Sequence, residues 1–175
     1  MFSDPTKIVE QCGIQAGQEI AEFGSGSGLY SMQASRALMS SGRVYAIDVQ
    51  KDLLAKLKNE SVKNGLYNIE VIWGNIEKLG GTKLRDRSID FVFLCNTLFQ
   101  TEDREGTVKE AKRVLKPGGK VVLVDWAESF GGIGPAVGHV FSKLDAEELF
   151  QKQGFHNEKE IQAGSHHYGF IFKKM

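Results

Sequence analysis

The sequence predicts an α/β protein: a Rossmann-like, doubly wound sheet of seven strands, mostly parallel, with an antiparallel C-terminal strand. Three observations predict it. Short β-branched and aromatic runs alternate with helical stripes, a glycine turn (Gly24-Ser25-Gly26-Ser27-Gly28) follows the first run directly, and Asp48 closes the second run twenty residues after Gly28. Such alternation packs helices around a parallel sheet, and right-handed crossovers leave few ways to arrange it.

Taken in order, Glu19-Ile20-Ala21-Glu22-Phe23 is the first strand, and after the glycine turn residues 29–41 have the spacing of a helix closed by Gly42. Arg43-Val44-Tyr45-Ala46-Ile47-Asp48 is the second strand. Residues 51–64 follow as a helix, with Leu53, Leu54, Leu57 and Val62 as its apolar stripe and Gly65 as its stop. Ile69-Glu70-Val71-Ile72-Trp73 is the third strand, and a polar stretch then runs through Asp86. Ile89-Asp90-Phe91-Val92-Phe93-Leu94-Cys95 is apolar enough to be buried on both faces, which predicts a central strand. Residues 102–115 read as a helix with Val108, Ala111, Val114 and Leu115 inward, stopped by Lys116-Pro117-Gly118-Gly119 before a strand over 120–125. Five strand-then-helix units are counted by that point, and the tail differs in kind, with a glycine-rich stretch (126–141) followed by a helix (143–153). Two last strand-like pieces, 156–162 and 167–173, are separated by Ala163-Gly164-Ser165. That is short enough for a hairpin, with the last strand antiparallel at the end of the sheet.

A chain of 175 residues is expected to form one domain, 1–175. Hydrophobic residues at 41% and charged residues at 25% argue against disorder and against a membrane bundle. Lys plus Arg and Asp plus Glu number 22 each, so no net field draws the protein onto nucleic acid or anionic lipid. The series Lys51, Lys56, Lys58 and Lys63 is interleaved with Asp52 and Glu60 and reads as a solvated helix face. No apolar run approaches the roughly 18 residues of a spanning helix, and Met1-Phe2-Ser3-Asp4-Pro5 lacks the features of a signal peptide; a cytoplasmic protein is expected. Cys12 and Cys95 are expected as reduced, buried thiols, and no metal site is expected.

In open α/β sheets the ligand sits outside the carboxyl ends of the strands, where strand order reverses. Glycines there permit positive φ and close backbone approach, and the following helix start favours an anion. A dinucleotide fingerprint would be G-x-G-x-x-G, but position 29 is Leu, which disfavours NAD and an oxidoreductase. Asp48 is placed to accept from both hydroxyls of a ribose.

The string Ala21 to Gly28, then Ala46-Ile47-Asp48, Trp73-Gly74-Asn75-Ile76, Ser88-Ile89-Asp90-Phe91-Val92 and Arg113-Val114-Leu115-Lys116-Pro117-Gly118-Gly119 resembles the ordered motif set of class I S-adenosylmethionine-dependent methyltransferases. Within that family it is most similar to the small quinone-biosynthesis-like C- and O-methyltransferase branch. The resemblance implies S-adenosylmethionine as cofactor. Glu22, Phe23 and the turn (Gly24, Ser25, Gly26, Gly28) would hold its methionine part, and Asp48 its ribose. Val49 would pack on the adenine; Asn75, where the family usually has Asp, would receive the adenine amino group beside Ile76. Cys95, Asn96 and Thr97 would line the sulfonium with Tyr30 or Phe99. Methyl transfer needs alignment more than acid–base chemistry, and a general base only if the acceptor arrives protonated. Asp125 is the first candidate base and His139 the second, whereas His166 and His167 are expected to be structural. Residues 126–141, with Trp126, Phe130 and Phe141, read as a flap over a hydrophobic small-molecule acceptor. The family's nucleic-acid base enzymes commonly show Asn/Asp-Pro-Pro-aromatic or Pro-Cys after the fourth strand. Asn96-Thr97-Leu98-Phe99 fits neither, and two cysteines are too few for arsenite relatives. A protein that binds the cofactor without transferring its methyl group is the other expectation carried forward.

Overall fold

The computed structural model describes residues 3–175; Met1 and Phe2 of the expected leaderless start lie outside the described residues. Runs rich in β-branched and aromatic residues suit a pleated, half-buried backbone. They form β1 (Glu19–Phe23), β2 (Arg43–Asp48), β3 (Ile69–Trp73), β4 (Ile89–Cys95), β5 (Leu115–Trp126), β6 (Phe155–Glu160) and β7 (His167–Lys174). The helices are α1 (Pro5–Gln11), α2 (Leu29–Ala37), α3 (Lys51–Lys63), α4 (Arg104–Val114) and α5 (Lys143–Lys152). All seven strands join one sheet in the order β3-β2-β1-β4-β5-β7-β6. β1 to β5 pair in parallel, and β7 runs antiparallel to both β5 and β6. Strand order reverses between β1 and β4, so the crevice opens there, at their carboxyl ends. Among the described residues no helix is long and apolar enough to cross a membrane.

Side chains alternate between the faces of a strand, and both faces are covered. Val121 and Leu123 pack with Val108, Ala111 and Phe150 of α4 and α5. Val122 and Val124 pack with Ile8, Ala34 and Leu57 of α1, α2 and α3. The same alternation places Glu22, Asp48, Trp126 and His167 on the α1–α3 face, and Asp125 and Tyr168 on the α4–α5 face. On the latter, Phe150 stacks on Phe172 with ring centroids 4.2 Å apart, and the Tyr168 hydroxyl donates to the Phe141 carbonyl at 2.9 Å.

Several elements differ from expectation for identifiable reasons. α2 ends at Ala37, because Met39 and Ser40 turn to φ of 49° and 65°. The inward stripe of α3 is Leu54, Leu57 and Ser61, while Val62 is 45% exposed. Residues 74–88 contain no helix, so the third strand-then-helix unit is a pinned loop. α4 starts later than expected, where the Asp103 carboxylate caps the Gly106 amide at 2.8 Å. β5 begins at Leu115, and Lys116-Pro117-Gly118-Gly119 lies inside it, where its register with β4 shifts. β7 is not at the sheet's end. Tyr168 to Phe172 are buried on both faces and need a neighbour on each side, whereas in β6 only Phe155 is buried and the rest suits an edge. α1 has no apolar periodicity to announce it; Pro5 opens it, and the Asp4 carboxylate accepts from the Thr6 amide at 3.0 Å.

Candidate functional site

The carboxyl ends of β1, β2 and β4 build the site from three short loops. The Gly24 and Ser25 amides both donate to the Ile47 carbonyl, at 2.9 and 3.0 Å, tying the glycine turn to β2. Gly28 opens α2 at φ +76°, and a Cβ there would come 2.2 Å from Leu57 Cδ1; at Gly24 it would come 2.9 Å from Thr97 Cγ2. Only glycine gives this backbone both its conformation and its close packing.

Asp48 is 8% exposed, and its Oδ2 accepts from the Gly26 amide at 2.8 Å while Oδ1 accepts from the Gln50 amide at 2.9 Å. Each oxygen keeps further acceptor capacity, so the carboxylate is locked in orientation and still able to receive two hydroxyls. It lines a cleft of about 290 Å³ together with Gly24, Gly26, Val49, Asn75, Ile76 and Thr97. Hollows of about 550 and 720 Å³ toward the β3 edge contain neither the glycine turn nor Asp48; chemistry rather than size selects the cleft. Val49 is 58% exposed and offers an apolar surface, its carbonyl held by Trp73 Nε1 at 3.1 Å. Asn75 Oδ1 accepts from the Glu77 amide at 2.9 Å, so part of its acceptor capacity is spent within its own loop.

Glu22 is buried, and its Oε2 accepts from both the amide and the hydroxyl of Ser31 in the first turn of α2. Burial pushes its carboxyl up to about 8; the Ser31 bonds pull the other way and the Asp48 charge adds to the rise. The folded protein therefore holds a proton that the unfolded chain releases above its ordinary value of 4.5. That contribution to stability is complete at low pH and is lost as pH rises toward 8. Thermal melts of ligand-free protein should show it, with Glu22→Gln flattening the decline above about pH 6, where the Asp125 contribution has ended.

Two buried side-chain atoms at the site, Ser25 Oγ and Asn96 Oδ1, have no hydrogen-bond partner among the described residues. Ser25 lies between the two glycines of the cleft, and Asn96, at φ +54°, precedes Thr97; Tyr30, in the first turn of α2, is buried beside Cys95. Buried polar groups are seldom left so. Donors and acceptors in these loops, beside the Asp48 fork, fit a ligand with an amino-acid end, a cationic centre and a ribose. Phe23 and Cys95 lie behind this surface. Phe23 is fully buried with its carbonyl accepting from Thr97 Oγ1 at 3.3 Å, and burial pushes the Cys95 thiol well above its ordinary value.

Asp125 is fully buried on the opposite face from Glu22 and Asp48. Its oxygens accept from the Trp126 amide at 2.9 Å and the Phe99 amide at 3.1 Å; burial raises the carboxyl to about 6, against the pull of those amides and Arg104. His139 is exposed on the turn Val137–His139 within the glycine-rich stretch. Gln50, Glu77 and Gln100 also line the cleft, each beside a residue that the resemblance implied (Val49, Ile76 and Phe99), and Thr101 follows Gln100.

Residues 21–123 match the family described as a methyltransferase domain. The demethylmenaquinone methyltransferase of Lactococcus lactis is 31% identical over 183 residues, covering 85% of this chain and 70% of that protein. A ubiquinone/menaquinone biosynthesis C-methyltransferase of Hahella chejuensis is 27% identical over 121 residues; the match covers 69% of this chain but spans only 47% of that protein. Among solved structures, a SAM dependent methyltransferase from Aquifex aeolicus superposes with a TM-score of 0.89 at 26% identity, over 99% of this chain and 91% of that one. With the glycine turn, the Asp48 fork and the strand order already in place, the chain belongs to the methyltransferase-domain family of class I S-adenosylmethionine-dependent enzymes.

Proposed function

We propose that the chain transfers a methyl group from S-adenosylmethionine to a small, hydrophobic carbon or oxygen nucleophile, working as one domain in the cytoplasm without a nucleic-acid partner. The observation that carries this reading is the Asp48 carboxylate, forked across two amides in a cleft at the strand switch point. When bound, S-adenosylmethionine supplies an electrophilic methyl carbon and a sulfur leaving group. The chain's task is then alignment and exclusion of water, worth on the order of 7–11 kcal/mol when geometry is right. Gly24 and Gly26 bring backbone amides close, Asp48 orients the ribose, and Val49 with Ile76 covers the base. Asp125 acts as a positioning residue, since its bond to the Phe99 amide holds the turn that carries Gln100 and Thr101 to the cleft.

The flap supports a hydrophobic acceptor. Phe130, Ile133 and Val137 are 42, 51 and 82% exposed along a stretch in which residues 129–138 carry no charge. A quinol is the acceptor class favoured, in keeping with what the named relatives methylate. The test is mass spectrometry of quinols, catechols, thiols and cell extract incubated with the protein and methyl-labelled donor. Label should appear in an apolar small molecule; label confined to nucleic acid, or no labelled product from any source, would overturn the reading.

A further inference from the structure

Beside the cleft, on the α4–α5 face of the sheet, one short turn is gripped between opposite charges. The turn Leu98–Gln100 offers the Phe99 amide to Asp125 Oδ2 at 3.1 Å and two of its carbonyls to Arg104. Arg104 Nε donates to the Leu98 carbonyl at 2.8 Å and Nη2 to the Phe99 carbonyl at 3.2 Å. A planar guanidinium can make that fork; the point charge of an ammonium cannot. Arg104 is also the first residue of α4, where the helix dipole disfavours a cation. That placement costs stability, so what the side chain reaches accounts for the residue, not the helix it opens.

The guanidinium reaches two parts of the site. The turn it holds delivers Gln100 and Thr101 to the cleft lining beside Gly24, Asp48 and Asn75. Thr101 Oγ1 donates to the Thr97 carbonyl at 2.8 Å and Gln100 Nε2 to the Asn96 carbonyl at 3.3 Å, so a shift of the turn moves the loop after β4 with it. The same guanidinium lies 4.6 Å from the ring centroid of Phe141, the last residue of the flap, whose carbonyl accepts from the Tyr168 hydroxyl at 2.9 Å. Ala127 and Phe130 hold the other end of the flap to His166, by a backbone bond of 2.8 Å and a stack with ring centroids 3.9 Å apart. His166 is not among the residues that line the cleft. Of the two holds on the flap, the one through Arg104 leads to the cofactor.

We propose that Arg104 is a positioning residue that couples the cofactor cleft to the flap. This rests on the methyl-transfer reading above and names how the flap of that reading is controlled. Cofactor in the cleft fixes the turn, the turn fixes the guanidinium, and the guanidinium holds Phe141 and the flap behind it. Coupling is reciprocal, so a closed flap tightens the cofactor by the factor with which bound cofactor closes the flap.

The experiment uses the full chain and S-adenosylhomocysteine, the demethylated cofactor, which binds without turnover. Hydrogen exchange of residues 127–140 is compared in free and saturated protein, and calorimetry gives the affinity. In the wild type the ligand should slow that exchange about tenfold, within the usual range of coupling between two sites. Arg104→Lys keeps the charge without the fork; the slowing should fall below about twofold and the dissociation constant should rise about tenfold or more. Phe141 does not line the cleft, yet Phe141→Leu should lose the slowing too, and should weaken the ligand by the same factor to within about twofold. A residue that merely props up the flap would not produce that equality. A wild-type flap indifferent to bound ligand, an Arg104→Lys protein that keeps the slowing, or a Phe141→Leu protein that loses it at unchanged affinity overturns the proposal and leaves the methyl-transfer reading intact. If Arg104→Lys fails to fold, the two numbers from Phe141→Leu decide alone. Wild-type protein that does not bind S-adenosylhomocysteine overturns the methyl-transfer reading, and this proposal with it.

Discussion

Asp48→Ala should weaken binding of S-adenosylmethionine by about 100-fold or more. Two charge-assisted bonds to ribose hydroxyls are worth about 1.5–3 kcal/mol each when their acceptor is a fixed carboxylate. The substitution also releases the Gly26 and Gln50 amides, which the carboxylate holds at 2.8 and 2.9 Å, so the glycine turn and the start of α3 lose their common anchor. Calorimetry with the donor measures the first effect, and Asp48→Asn separates the two. An amide can still accept from one backbone N–H, so the turn should persist while much of the affinity is lost. Unchanged donor affinity in Asp48→Ala would remove the ribose from this position and the cleft with it.

Glu110→Ala should be the most damaging single change to stability, costing about 3–5 kcal/mol and lowering the melting temperature by about 6–20 °C. Glu110 is fully buried in α4 and gathers five donors. The Gly80 amide lies at 2.8 Å, the Thr82 amide at 3.2 Å and its hydroxyl at 2.5 Å, with Arg113 Nε at 2.8 Å and Nη2 at 2.7 Å. Burial alone would raise this carboxyl, but Arg113 and the Thr82 and Gly80 donors hold it below the ordinary carboxylate value. Its contribution is therefore present at neutral pH and disappears as acid protonates it. Removing it takes two bonds from the Arg113 guanidinium, which keeps Asp86 and the Leu84 carbonyl, and frees the Gly80 and Thr82 donors, loosening residues 74–88, the helix-free connection that carries Asn75, Ile76 and Glu77 to the cleft. Urea unfolding gives the loss. Glu60→Ala, which breaks an exposed pair to Lys63, is the control and should cost under about 1 kcal/mol. A Glu110→Ala protein as stable as that control would show that the loop is held by something else.

Most of the architecture was legible because it rests on local periods. Apolar runs marked β1 to β5, and the glycines at 24, 26 and 28 marked a turn where Leu57 and Thr97 leave no room for a side chain. The distance from Gly28 to Asp48 set one side of the cleft, since one βαβ unit has a nearly constant length. The buried run in β4 announced its central place.

What stayed hidden depends on which surfaces meet. Asp125 ends a strand as Asp48 does, yet it falls on the other face, because it is one residue out of step with Val122 and Val124 and the backbone of Phe99 folds down onto it. β7 lies between β5 and β6 because its doubly buried residues demand two neighbours, a choice that hairpin spacing cannot express. Glu110 reads as an ordinary helix acid until the 74–88 loop arrives beneath it. The tautomer of His167 exists only once Ser165 offers its carbonyl. Sequence by itself determined the strands, the glycine turn and the place of the Asp48 carboxylate at the end of β2, whose causes lie within a few residues or one crossover. Tertiary structure alone decided which face each strand end shows and which partner satisfies each buried polar group, because those depend on contacts between segments far apart in the chain.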